Sequence, residues 1–188
     1  MIRATITTGL VLMMGAAGAG TAAQTAKETL TATATVSTAA GAKASAPVTI
    51  VVNRTTSEAE AAKLIEALKI GGAAALNKAL VGIAPTGSVR IGSGAEVATR
   101  MTIERTTDKG RLLTIVTDKP LLFVGGALPG AKPKAGYDFG VLDIEVDSTG
   151  KGSGTLAPAA TIKASGTAIV VADYGSEAVR LIDVKRAK

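Results

Sequence analysis

The sequence predicts an α+β domain: a mainly antiparallel β-sheet, barrel- or sandwich-like, with one inserted helical hairpin over about residues 57–82. Three observations carry this expectation. Apolar residues alternate with period two through most of the chain. Glycine-containing turns separate these runs at regular spacing. One stretch switches to helical spacing between a serine cap and paired glycines.

Taken in order, Met1-Ile2-Arg3 is a short basic start, Ile6–Ala16 is apolar, and small residues follow to Thr21-Ala22-Ala23. That is the layout of a secretory signal peptide. The apolar run is shorter than the ~20 residues a spanning helix needs. Cleavage is expected after Ala23, with Ala19 as the alternative. Residues 24–188 then form a single secreted β-rich domain. The leader holds Arg3 and no acid, so the mature part keeps 20 basic and 15 acidic groups, a net charge of +5.

Gln24–Lys27 reads as an irregular start. Leu30–Ser37 alternates Leu30, Ala32, Ala34 and Val36 against Thr31, Thr33, Thr35 and Ser37, the pattern of a half-buried strand. Ala39–Ala46 is a small-residue connection, and Pro47–Arg54 is the next strand, its proline suited to a first residue. Ser57 and Glu60 form a capping box. Ala61, Leu64, Ile65 and Leu68 follow on one helical stripe. Gly71-Gly72 is expected to end that helix, and Ala73–Val81 to form a shorter second one with Leu76 and Leu80 inward.

From Gly87 the chain reads strand after strand: Ser88–Ile91, Glu96–Thr106, a turn at Thr107–Gly110, then Arg111–Thr117, apolar on both faces and so central. Leu121–Val124 and Tyr137–Asp147 are expected to flank a long loop, Gly125–Gly136. Ser148–Gly154 is a turn, Gly154–Ala164 and Thr167–Asp173 are two further strands, and Val179–Lys185 is the last.

Composition removes several chemistries. Histidine and cysteine are absent, which excludes Ser-His and Cys-His nucleophiles, thiolate metal sites and disulfides. Four aromatics in the whole chain leave no stacking platform for nucleic acid. No cofactor and no catalytic residue is assigned. Asp143, Glu145 and Asp147 share one strand face and could offer Ca²⁺ hard oxygen ligands, although a solvated face has the same pattern. The long loop is expected to be an ordered lid that closes one end of the barrel or, as the alternative, a contact surface that supplies the candidate partner site. Phe123 and Tyr137 stand at its feet and Lys132 and Lys134 make it basic, suiting an anionic envelope component or a small apolar ligand.

Several stretches resemble an uncharacterised family of small secreted bacterial proteins. They are Gly71-Gly72 with Ala75-Leu76 and Ala79-Leu80; Phe123-Val124-Gly125 through Leu128-Pro129-Gly130-Ala131-Lys132-Pro133; Gly136-Tyr137-Asp138; Leu156-Ala157-Pro158-Ala159-Ala160; Asp173-Tyr174-Gly175 with Glu177; and Val184-Lys185-Arg186. The resemblance implies a single secreted domain and brings no activity or ligand with it. The expectation is an exported, non-enzymatic binding module. The alternatives are a structural envelope protein or a small enzyme using carboxylate, lysine or tyrosine groups.

Overall fold

A computed structural model describes residues 27–37, 43–121, 123, 135–173 and 179–187. The leader and most of the Gly125–Gly136 loop, Lys132 and Lys134 included, lie outside these residues. Nine strands and one helix follow in the order β1 (Glu28–Ser37), β2 (Lys43–Val52), α1 (Glu58–Val81), β3 (Gly87–Ile91), β4 (Val97–Thr107), β5 (Gly110–Thr117), β6 (Phe139–Asp147), β7 (Lys151–Ser165), β8 (Ala168–Asp173) and β9 (Val179–Arg186). Eight of the strands, in the order β6-β5-β4-β3-β2-β1-β9-β7, close into a barrel through the β6–β7 pairing. Every pairing is antiparallel. β7 runs past the barrel and pairs there with β8.

The two-residue period decides what fills this barrel. Leu30, Ile50, Leu113, Ile115, Leu142, Ile144, Leu156 and Leu181 are fully buried in one interior cluster. An eight-stranded barrel is just wide enough for side chains to fill. The inward face of β1 is small, with Ala32 and Ala34, and β7 offers Gly152 and Gly154 there. Gly152 is obligatory for a further reason: a Cβ at this position would sit 1.8 Å from the Glu145 carbonyl oxygen. The closing seam between β6 and β7 therefore cannot accept a side chain there. The sequence pattern assigns Ser148–Gly154 to a turn, but β7 begins at Lys151 and both glycines lie within the strand.

Pro47 lies in the middle of β2 rather than at its start. Its carbonyl accepts from the Gly92 amide at 2.7 Å, so its nitrogen faces the same side, where β3 has already ended at Ile91. No ladder donor is needed there, and the proline is accommodated.

The outward face of β4 to β7 carries a second core. Leu64, Ile65, Leu68, Leu76 and Leu80 of α1 pack with Met101, Val116, Phe139, Val141, Ala157, Ala160, Ile162 and Ile169. The helical hairpin is not present: α1 is one helix with a kink at Gly72, whose φ is +65°. Glycine takes the left-handed backbone anticipated for it, yet Ala73 resumes the helix at once. An antiparallel hairpin needs a loop of about two to five residues, and none stands here. Arg100 ties the helix end to the barrel, donating to Asp118 Oδ2 at 2.7 Å and to the Ile83 carbonyl at 3.0 Å. Asn77 donates to the Asp118 carbonyl at 3.1 Å. The described residues Leu121 and Phe123 are buried in the interior cluster but belong to no strand, so Leu121–Val124 is not a strand at these positions.

The helix start matches the capping box. Ser57 Oγ accepts from the Glu60 amide at 3.2 Å, and Glu60 accepts from the Ser57 amide at 3.0 Å and from Arg54 at 2.9 Å. The Ser57 amide and then Arg54 hold the Glu60 carboxyl below its usual range. A carboxyl whose pKa is depressed on folding adds stability that is present above its unfolded value, near pH 4.5, and lost as pH falls through the folded value. Ser57→Ala should cost about 1 kcal/mol. Glu60→Gln should flatten the acid limb of the stability–pH curve below about pH 5, measured by urea unfolding; an unchanged acid limb would discount this cap.

Candidate functional site

Among the described residues, the helix and β8 cover one side of the barrel's exterior, and no other element lies over β3, β2, β1, β9 and the first part of β7. The outward residues of this side follow from register. β1 presents Thr29, Thr31, Thr33 and Thr35, with Val51, Thr49, Pro47 and Ser45 opposite them on β2. On β9 their partners are Lys185, Ile182 and Arg180. Rows lie about 4.8 Å apart and alternate residues about 6.7 Å apart, so the face is a lattice of hydroxyl groups. Lys43, Arg90, Lys151, Arg180 and Lys185 are exposed on it.

None of these five cations is held in an ion pair among the described residues. The ion pairs present are Arg54–Glu60, Arg100–Asp118, Arg111–Glu28, Arg111–Glu104 and Arg186–Glu28. Acids thus neutralise the arginines at the helix and at one barrel end, and the bare face keeps its positive charge. Its one outward acid is Asp183.

Asp183 is placed by a β-bulge. Pairing with β1 jumps from Thr31↔Lys185 to Thr33↔Ile182, and pairing with β7 jumps from Gly152↔Val184 to Gly154↔Leu181. The extra residue is Asp183, at φ +53°, the only non-glycine residue with positive φ among those described. Aspartate tolerates this region better than most residues. Beside the bulge lies a shallow groove of about 860 Å³, walled by Thr31, Thr33, Lys151, Asp183 and Lys185. The Thr31 hydroxyl lies 3.5 Å from the Lys185 carbonyl, a long contact that leaves it available to a bound molecule.

The sequence-predicted site residues fall elsewhere. Phe123 is buried in the barrel interior, and Tyr137 is buried with its hydroxyl donating to Asp173 Oδ2 at 2.6 Å. Neither ring is offered to a partner. Asp143, Glu145 and Asp147 do share one face of β6, but they do not form a calcium site. Asp143 accepts from Thr114 at 2.7 Å and Glu145 from Thr107 at 3.0 Å. Asp147 accepts from the Thr149 hydroxyl at 2.7 Å and from the Thr149 and Lys151 amides at 2.8 and 3.0 Å. Those bonds, the Thr149 hydroxyl's foremost, hold its carboxyl below the usual range. Each acid is committed to a different neighbour, and no metal-binding cluster of three or more acids exists among the described residues.

The chain matches no family model, no curated protein and no solved structure.

Two further features frame the bare face. At one barrel end, Glu28 points inward and accepts from Arg111 at 2.7 and 2.6 Å and from Arg186 at 3.1 Å. Near this end the buried Thr86 hydroxyl bonds those of Thr99 and Thr102. At the other end an apolar hollow of about 310 Å³ is lined by Val89, Ile91, Val97 and Leu121, with Lys119 also on its wall. The sequence could have disclosed Glu28, since it continues the inward alternation of Leu30, Ala32, Ala34 and Val36 by one step. The bulge at Asp183 carries no such signal.

No helix among the described residues is long and apolar enough to cross a membrane. On β1, β2, β3 and β9 the buried apolar residues face inward and threonine, lysine and arginine face out, whereas the outward apolar residues of β4 to β7 lie under α1 and β8.

Proposed function

We propose that this chain is an exported, non-enzymatic binding protein that holds an anionic component of the cell envelope against its bare face. The observation that carries the reading is the set of five exposed cations that, among the described residues, have no ion-pair partner and no helix or strand over them. A field of one sign on an uncovered face attracts and orients a partner of the other sign. The signal-peptide layout of Met1–Ala23 supplies the export step. The likeness to small secreted bacterial proteins agrees with it. Catalysis is disfavoured by the separate commitments of Asp143, Glu145 and Asp147. A small apolar ligand in the 310 Å³ hollow at the barrel mouth is a second reading, favoured by that lining alone.

Binding to immobilised dextran sulfate tests the first reading. The triple variant Lys43→Gln/Arg90→Gln/Arg180→Gln is expected to bind about tenfold more weakly, a loss of about 1.4 kcal/mol. Wild-type affinity should fall as salt rises from about 50 to about 300 mM, because the Debye length shortens below the spacing of the charges. The helix variant Lys63→Gln/Lys69→Gln/Lys78→Gln should bind like wild type. Equal weakening of both variants would remove the bare face from the account.

A further inference from the structure

Resting on that reading, we infer that the groove over the β9 bulge seats an acidic sugar residue, so that the anionic partner is a carboxylated polysaccharide. Lys151 and Lys185 are direct cross-strand partners, and both are exposed on the same face. Like charges directly opposite each other weaken a sheet. A carboxylate placed between them removes that repulsion and gains two charge-assisted contacts. Asp147, the nearest acid in sequence to Lys151, accepts that residue's backbone amide and both donors of Thr149 and also feels the Lys151 charge, but the two form no direct ion pair.

Asp183 decides between classes of anion. It stands in the same groove as the two lysines, and the bulge fixes it in an uncommon backbone conformation. A carboxylate repels a plain polyanion, but it accepts hydrogen bonds from hydroxyl donors. A ligand satisfying the whole groove therefore carries an anionic group for Lys151 and Lys185 and hydroxyls for Asp183, Thr31 and Thr33. A uronic-acid unit has both within one ring. Ile182, exposed on β9 beside them, gives the ring's C–H face an apolar contact. Duplex DNA offers no hydroxyls beside its phosphates, and a membrane surface calls for aromatic anchors, of which this face has none among the described residues.

The experiment compares oligogalacturonate, which has carboxylates and vicinal hydroxyls, with poly-L-glutamate, which has carboxylates alone. Calorimetric titration is made with wild type, Asp183→Asn and Lys151→Gln. Asparagine also tolerates positive φ, and melting temperatures of all three check folding. Asp183→Asn is expected to weaken oligogalacturonate binding about tenfold while poly-L-glutamate binding holds or tightens, since the variant is more positive. Lys151→Gln should weaken both. If Asp183→Asn tightens both polymers alike, the groove inference falls and the anion-binding face survives. If wild type binds neither polymer, both fall. Binding confined to phosphatidylglycerol vesicles or to duplex DNA would likewise overturn the glycan assignment.

Discussion

Glu28→Ala is expected to lower stability by about 3 kcal/mol, a fall of roughly 10 °C in Tm for a domain of this size. The Glu28 side chain is only 6% exposed and that of Arg111 17%. Burial alone would discourage the Arg111 charge, but hydrogen bonding and attraction from Glu28, helped by Glu104, more than offset it and raise its pKa. Removing the acid leaves a guanidinium buried without its main partner, and that uncompensated charge is the cost. The double variant Glu28→Ala/Arg111→Met should therefore recover most of the loss, because methionine fills the site without charge. Urea unfolding of the two variants decides it. A double variant no more stable than Glu28→Ala would mean that the pair acts by packing rather than by charge.

Phe139→Ala should cost about 3–5 kcal/mol. The ring is fully buried in the outer core, where it packs with the helix leucines and the outward residues of β4 to β7. No smaller side chain nearby can refill the space, since its partner across the seam is Ala160. The loss should be directional. With the outer core weakened, α1 should loosen first, and limited proteolysis should cut near the exposed Gly71-Gly72 before any barrel strand. Cleavage confined to barrel loops would show that helix and barrel do not separate in this way.

Strand placement was legible because each strand turns one face to a dry interior. That forces the alternation seen at Leu30–Val36 and again at Leu142–Val146; the ends shifted, as at Val97–Thr107, and Leu121 and Phe123 joined no strand. Gly71-Gly72 misled because glycine's φ >0 serves a kink as readily as a chain reversal, and local sequence does not say which. Of the expected site only Phe123 and Tyr137 lie among the described residues, and both are buried. Phe123 and Tyr137 stand out as rare large side chains, but scarcity of large residues is itself a reason to bury them. The bare face was written in Thr31, Thr33 and Thr35, read only as the polar half of a strand. Its charge emerged once Lys151 and Lys185, 34 positions apart in number, became cross-strand partners. Asp183 stayed hidden because a bulge depends on what both neighbouring strands do.

The seam between β1 and β9 joins segments far apart in the chain: Glu28 and Arg186, which meet there, are separated by 158 residues. β1 thus gains its β9 neighbour only once β9 has been made. Closing so long a loop before any pairing compensates makes such topologies slow to fold. During that delay the barrel has an open edge and its inward leucines are wet. A polypeptide in that condition can still be threaded end-first through a narrow conduit, which a closed barrel cannot. Late pairing of β1 with β9 thus keeps the chain in an open, flexible form for as long as closure is delayed.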